Sequence, residues 1–153
     1  MSLEQTINEN IKAAMLAKNE AALRGYRAIK AAILLAKTSG GAKDTLAPED
    51  EIKLLQKLVK QRKDSLEIFQ QQHRQDLAQK EAEEIGIIEQ FLPRQLDADA
   101  LKGEVLAIIR ETGASSPADL GKVMGRASKA LAGRAEGKAI SDMVKTLLQN
   151  PGA

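Results

Sequence analysis

The stretch PEDEIKLLQKLVKQRKDSLEIF, residues 48–69, decides the fold class, because its apolar residues recur at intervals of three and four. The apolar positions are Ile52, Leu55, Leu58, Val59, Leu66 and Phe69, and Lys53, Lys57, Lys60, Arg62 and Lys63 lie between them. Pro48 suits a first helical position, and the carboxylates that follow it favour the positive end of a helix dipole. The stretch predicts one long amphipathic helix with a basic outer surface.

The same periodicity continues along the chain, and no segment alternates apolar and polar residues as a strand does. Ser2 with Gln5 predicts a capping box, and Asn19, Asp76 and Asp97 are candidate N-caps of later helices. The candidate stops are Gly40-Gly41, Pro93, Gly113 and the run Asn150-Pro151-Gly152. We predict seven helices and an all-α fold.

A domain boundary is predicted at Leu92-Pro93-Arg94-Gln95-Leu96-Asp97, where the helical period is interrupted and a new cap begins. We expect an N-terminal helical bundle over residues 1–92. A small C-terminal unit of three helices is expected over residues 97–150. A unit of that size is near the lower limit for a self-sufficient core, so we expect it to lean on the bundle or on a partner.

Composition excludes several classes of protein. The 153 residues contain no cysteine, so disulfides, thiolate metal sites and thiol nucleophiles are excluded together. The N-terminus, Met1 to Gln5, is polar and acidic where a secretory signal is basic and then apolar, and no apolar run approaches membrane-spanning length. We therefore expect a cytoplasmic protein that does not engage a membrane.

Reactive side chains are few. His73 is the single histidine and lies among glutamines, so we assign it no role. Ser115 and Ser116 precede a predicted helix and are better explained as capping residues than as nucleophiles. The later glycines do not match a nucleotide-binding loop, because Lys138 is followed by Ala139. Acidic residues at Glu81, Glu83 and Glu84 lack supporting ligands, and we expect them on a solvated outer face. No catalytic centre, metal or cofactor is expected.

The candidate site is a set of basic residues near the C-terminus. Residues 113–153 hold six basic and three acidic side chains, whereas residues 1–96 hold fifteen and fourteen. Lys122, Arg126 and Lys129 are spaced to lie on one helical stripe, and Arg134 and Lys138 follow just beyond. Such a stripe could follow a phosphate backbone.

Four glycines, Gly121, Gly125, Gly133 and Gly137, are interleaved with these cations. Inside a helix a glycine costs about 1 kcal/mol relative to alanine, so we interpret the four as points of close backbone approach. Two alternatives stay open for what approaches: a neighbouring helix in a tightly packed unit, or an outside backbone such as that of RNA.

The motifs of the chain resemble those of the GatB/YqeY family. They are Arg62-Lys63-Asp64-Ser65, Phe91-Leu92-Pro93-Arg94-Gln95-Leu96, Thr112-Gly113-Ala114-Ser115-Ser116, Gly121-Lys122-Val123-Met124-Gly125 and Gly133-Arg134-Ala135-Glu136-Gly137-Lys138. The resemblance is to the free-standing, bacterial YqeY type. It implies an N-terminal bundle and a C-terminal domain similar to the tail of the B subunit of the tRNA-dependent amidotransferase, which contacts tRNA.

By that resemblance Lys122, Arg126, Arg134 and Lys138 are candidate RNA contacts. The resemblance also implies a carbon-nitrogen ligase activity with glutamine as amide donor, which we do not transfer to a chain without a nucleophile or an ATP site. The candidate partners are tRNA and an amidotransferase or other translation-related protein; DNA is not expected. Three hypotheses follow: an RNA-binding helper, an accessory subunit in amidotransfer, and a purely protein-binding adaptor that uses the long third helix.

Overall fold

A computed structural model describes residues 1–39, 41 and 44–149. Its helices are α1 (Leu3–Leu16), α2 (Glu20–Thr38), α3 (Pro48–Gln71), α4 (Gln75–Glu89), α5 (Ala98–Thr112), α6 (Leu120–Ala130) and α7 (Gly137–Gln149), with a short 3-10 helix over Pro117–Asp119. No strand occurs in the described part of the chain, so the predicted all-α class is confirmed. The helices fall into two compact units, Met1–Leu92 and Pro93–Ala153.

Local capping explains where α1, α2 and α5 begin. The backbone amide of Gln5 donates to Ser2 Oγ at 3.2 Å and the amide of Ser2 donates to Gln5 Oε1 at 2.9 Å, which confirms the predicted capping box. Asn19 and Asp97 also cap α2 and α5 as predicted. The helix α2 ends at Thr38, before the glycine pair. The predicted stops at Gly40 and at 150–152 lie outside the described residues.

The predicted cap at Asp76 is wrong. Arg74 occupies the cap position of α4, and Asp76 lies in its first turn. The guanidinium of Arg74 donates to both carboxylate oxygens of Asp76, at 3.2 and 3.1 Å, and this hydrogen bonding lowers the pKa of Asp76. The carboxylate therefore binds mainly a neighbouring side chain, and hydrogen bonds from the amides of Leu77 and Asp76 contribute less to its lowered pKa.

The first unit is a four-helix bundle in which α3 packs against α4, and α2 packs against both α1 and α4. Its main core consists of Ile7, Ile29, Ile33, Leu55, Val59, Ile85 and Ile88. At one point α2 and α4 come so close that only glycine fits. A Cβ atom added to Gly25 would lie 2.6 Å from Cγ2 of Ile87.

Charged side chains join α2 and α3 to α4. Arg24 pairs with Glu83 at 2.7 Å, and Arg62 pairs with Glu84 at 3.5 Å. Burial raises the pKa of Glu81, and the charge of Glu84 raises it further. The prediction that these glutamates form a solvated outer face of α4 is wrong, because the arginines of the neighbouring helices hold two of them in half-buried ion pairs.

The second unit packs α5, α6 and α7 around one core. Its buried residues are Leu101, Val105, Ile108, Val123, Ala127, Leu131, Ala135, Ile140, Val144, Leu147 and Leu148. The segment that precedes α5 is fastened to the turn between α6 and α7. The amide of Leu96 donates to the carbonyl oxygen of Arg134 at 2.8 Å, and Nε2 of Gln95 donates to that of Gly133 at 2.7 Å.

Candidate nucleic-acid interface

The junction between α5 and α6 is a compact turn built by backbone hydrogen bonds. Gly113 ends α5 in the left-handed conformation, with φ at 69°. The amides of Ser115 and Ser116 donate to Oδ2 of Asp119 at 2.9 and 3.3 Å, and these bonds lower the pKa of Asp119. Ser116 also forms a capping box with Asp119, so its interpretation as a capping residue is confirmed, whereas Ser115 contributes only its backbone amide to this turn.

The exposed side of α6 brings the predicted cations and two of the glycines together. Lys122, Arg126 and Lys129 are exposed, while Val123 and Ala127 on the other side of the helix are completely buried. Gly121 and Gly125 are also exposed, and their spacing of four residues places them beside the cations. Between residues 120 and 138 the sequence holds five basic side chains and one acidic side chain, Glu136. This surface of α6 is therefore basic and partly bare of side chains.

The five predicted cations differ in whether another residue of the chain already binds their charged group. The ammonium group of Lys122 donates to the carbonyl oxygen of Thr112 at 2.7 Å. Arg126 pairs with Glu111 at 3.0 Å, and both side chains are more than half exposed. Within the described residues, Lys129, Arg134 and Lys138 make no ion pair. These three have the charge most available to a ligand.

The turn from α6 to α7 carries the remaining predicted residues. Gly133 is buried with φ at 78°, a conformation that favours glycine, and the half-buried Arg134 follows it. Lys138 is exposed in the first turn of α7. Arg94 is exposed on the segment fastened to this turn and was not among the predicted contacts. The sequence motif that contains Arg94 marks the domain boundary and the family resemblance, but neither interpretation made it a predicted contact.

The four glycines differ in what surrounds them. A Cβ atom added to Gly121, Gly125 or Gly137 would meet nothing within 4 Å. A neighbouring helix therefore does not explain these three glycines in the described structure. Gly133 is explained by its positive φ. Approach of an outside backbone to Gly121, Gly125 and Gly137 stays a prediction.

The described residues offer neither a metal-binding cluster nor a membrane-spanning helix. Among the described residues, no group of three or more histidine, cysteine or acidic side chains could hold a metal ion. No helix in that part of the chain is long and apolar enough to span a membrane. His73 lies in the turn between α3 and α4 with φ at 57°.

Three fungal relatives are similar to the chain, and each is named "Altered inheritance of mitochondria protein 41, mitochondrial". The protein of Clavispora lusitaniae is 39% identical over 92 residues, which is 60% of this chain and 52% of the relative. That of Meyerozyma guilliermondii is 37% identical over 87 residues, covering 57% and 44%. That of Pyrenophora tritici-repentis is 31% identical over 134 residues, covering 84% and 71%. The chain spans about half the length of the first two relatives.

These relatives contradict two predictions. A bacterial, cytoplasmic protein was expected, whereas the relatives are fungal and are named as mitochondrial proteins. Composition could not have decided this, because a lack of cysteine excludes disulfides without distinguishing one reducing compartment from another.

The family model described as "Yqey-like protein" matches residues 4–148, nearly the whole chain. The match includes every motif on which the resemblance was based, and the resemblance is confirmed. The chain belongs to the YqeY-like protein family.

Proposed function

We propose that the chain is an RNA-contacting helper whose second unit binds the phosphate backbone of tRNA. The observation that carries the proposal is the exposed side of α6, where Lys122, Arg126 and Lys129 lie beside two bare glycines and no acidic residue of the same helix. Phosphate oxygens accept hydrogen bonds from such side chains, and a helix without a Cβ at two positions allows a backbone to come close.

Lys129, Arg134 and Lys138 are expected to contribute most to this contact. None of them forms an ion pair within the described structure, so no internal bond must break when phosphate binds. Arg126 would first have to leave Glu111, but that pair is exposed and worth little. Lys122 is already engaged by Thr112 and is expected to contribute least.

Binding should depend little on base sequence. The three aromatic residues, Tyr26, Phe69 and Phe91, all precede residue 93, so the second unit offers no ring on which a base could stack. Contacts to phosphate position a protein on RNA without identifying bases. In this proposal the chain is a helper, and any amidotransfer chemistry is supplied by a partner protein.

The test is fluorescence anisotropy of a labelled tRNA titrated with the full chain at several salt concentrations. We expect weak binding with a steep salt dependence. Lys129→Gln and Lys138→Gln should each reduce the slope of log affinity against log salt by about 1, as the loss of one phosphate contact does. Lys102→Gln is the matched control, because Lys102 is an exposed lysine on α5 in the same unit without an ion pair among the described residues.

The control should leave both the affinity and the slope unchanged. Absence of tRNA binding at low salt would overturn the proposal. So would equal effects of the Lys129, Lys138 and Lys102 substitutions, because binding would then depend on total charge and not on this surface.

A further inference from the structure

A groove runs between α2 and α3 in the first unit. Its walls are Ala32, Leu35, Ala36 and Ser39 from α2, and Leu54, Lys57, Leu58 and Gln61 from α3. The small side chains of α2 leave room between the two helices. Leu35 is 68% exposed, and it is the largest apolar side chain that α2 contributes to the groove. Exposure of this kind in a contiguous apolar lining is typical of a protein-binding surface.

The lining residues of α3 lie along one side of that helix. Leu54, Leu58 and Gln61 follow one another at helical spacing, and Ile68 lies two turns further on the same side. Ile68 is 51% exposed. Leu54, Leu58 and Ile68 place apolar side chains along this side, with the polar Gln61 and Ser65 between them. An amphipathic helix can use such separated apolar positions as anchors, because its own anchors recur at the same intervals.

The charges around the groove have one sign. Residues 21–38 hold four basic side chains and residues 52–63 hold five, and neither stretch contains an acidic residue. Four of the nine form ion pairs with α1 or α4: Arg24, Lys37, Arg62 and Lys63. The other five, Arg27, Lys30, Lys53, Lys57 and Lys60, have no ion pair among the described residues.

The unpaired lysines of α3 lie beside the groove. Lys57 lines the groove. Lys53, four residues before Lys57, and Lys60, three residues after Lys57, are exposed. The nearest acidic residues on α3 are Glu51, two residues before Lys53, and Asp64, four residues after Lys60. Ion pairs with α1 and α4 thus engage four of the nine basic side chains, and the lysines beside the groove keep an unpaired positive charge.

We propose that this groove binds an acidic amphipathic helix of a partner protein. The apolar face of such a helix would cover Leu35, Leu54 and Leu58, and its carboxylates would meet Lys53, Lys57 and Lys60. RNA fits the surface less well, because phosphate gains nothing from exposed leucines. The inference concerns the first unit and goes beyond the RNA contact proposed for the second.

The experiment uses the full chain and a fluorescein-labelled synthetic peptide of roughly four helical turns, with leucine at helical spacing and glutamate elsewhere. A peptide of the same composition, with its leucines spread around the helix, is the control. Anisotropy should show saturable binding of the first peptide and at least tenfold weaker binding of the second, since ordered anchors carry most of the affinity. Circular dichroism should show that the bound peptide gains helix.

Leu35→Glu should weaken binding of the first peptide by about tenfold, because it removes an apolar anchor and repels the carboxylates. Leu16→Glu is the matched control, since Leu16 is 87% exposed at the end of α1 and lies outside the groove. Lys57→Glu is a second test on an exposed residue, in case Leu35→Glu disturbs folding, and it should also weaken binding.

Equal binding of the two peptides, or unchanged binding by both groove variants, would overturn the proposal. Sedimentation of the wild-type chain as a dimer that Leu35→Glu dissociates would also overturn it, because a second copy would then fill the groove. Groove-dependent binding to phosphatidylserine vesicles or to tRNA would assign the surface to lipid or RNA instead. The two proposals fail separately, because Leu35→Glu should leave tRNA binding unchanged and Lys129→Gln should leave peptide binding unchanged.

Discussion

The ammonium group of Lys122 lies 2.7 Å from the carbonyl oxygen of Thr112, at the C-terminal end of α5. The last carbonyl groups of a helix lack partners within that helix, and a lysine that reaches them also meets the negative end of the helix dipole. Lys122 therefore joins α6 to α5, and its structural role differs from that of the other cations on its helix.

We expect Lys122→Met to lower the stability of the second unit by about 1 kcal/mol, the net contribution of a typical hydrogen bond. Faster amide hydrogen exchange in α5 and α6 of the full chain would report the change. Lys129→Met makes the same chemical change on the same helix, where the lysine has no ion pair in the described structure, and should leave exchange unaltered. Equal exchange in the two variants would contradict a capping role for Lys122.

Gly125→Ala should change stability and RNA affinity in opposite directions. Alanine favours the helix by roughly 0.5–1 kcal/mol, and an added Cβ would meet nothing within 4 Å. If an RNA backbone lies against this position, the same methyl group should weaken tRNA binding roughly fivefold, or about 1 kcal/mol.

The control for that substitution is Gly103→Ala on α5, which is equally open and should stabilise the unit without affecting RNA. Melting curves and anisotropy titrations on both variants provide the comparison. Unchanged tRNA affinity in Gly125→Ala would show that the bare side of α6 is not a contact surface.

Gly25→Ala should destabilise the first unit. The new Cβ would lie 2.6 Å from Cγ2 and 2.8 Å from Cβ of Ile87, so α2 and α4 must separate. Overpacking of this kind costs about 1–3 kcal/mol, and the better helix propensity of alanine offsets part of it. Urea denaturation followed by the fluorescence of Tyr26 would measure the net loss.

A matched pair of variants separates packing from helix propensity at this position. Gly86→Ala on α4 has open space around its added Cβ and should stabilise the bundle. The double variant Gly25→Ala with Ile87→Ala should recover part of the stability lost in Gly25→Ala. Stabilisation by both single glycine substitutions would show that α2 and α4 are not in close contact at Gly25.

Asp119→Asn should make the second unit less stable at neutral pH but not at acidic pH. Hydrogen bonds from the amides of Ser115 and Ser116 lower the pKa of the Asp119 carboxyl in the folded chain. The stabilisation is therefore present above the unfolded pKa of about 3.9, and it is lost as pH falls through the lower folded value. Hydrogen exchange in α6 should differ between wild type and variant at pH 6, and the difference should shrink as pH falls below about 3.9.

An NMR titration of the Asp119 carboxyl gives an independent measure. Its midpoint should lie below that of an ordinary aspartate, and Lys122→Met should raise it slightly because the lysine charge also favours the carboxylate. A midpoint at or above the ordinary value would contradict the two amide hydrogen bonds.

Local sequence was sufficient where a structure depends on neighbours along the chain. The caps at Ser2, Asn19 and Asp97 were predicted correctly because each binds an amide three residues later. The prediction failed at Asp76, because the guanidinium of Arg74, two residues earlier, donates hydrogen bonds to the Asp76 carboxylate. Periodicity also predicted that Lys122, Arg126 and Lys129 share one side of α6, because that depends only on helix geometry.

The electrostatic state of the same side chains depends on residues that are distant in sequence. Glu111 reaches Arg126 from fifteen positions away, and Glu83 reaches Arg24 from fifty-nine. Helical periodicity cannot predict these ion pairs, because it relates only residues that are a few positions apart. The sequence alone therefore identified which cations could bind a ligand, and the packing of helices against one another decided which of them are still available.

The amino-acid sequence by itself determined the all-α class, most helix starts and the basic character of α6, because hydrophobic period and capping act within a few residues. Only the tertiary structure decided that Lys122 caps α5, that Gly25 faces Ile87, and that an apolar groove lies open between α2 and α3. Each of these depends on the distance between helices, which is set when apolar faces from separate parts of the chain pack together.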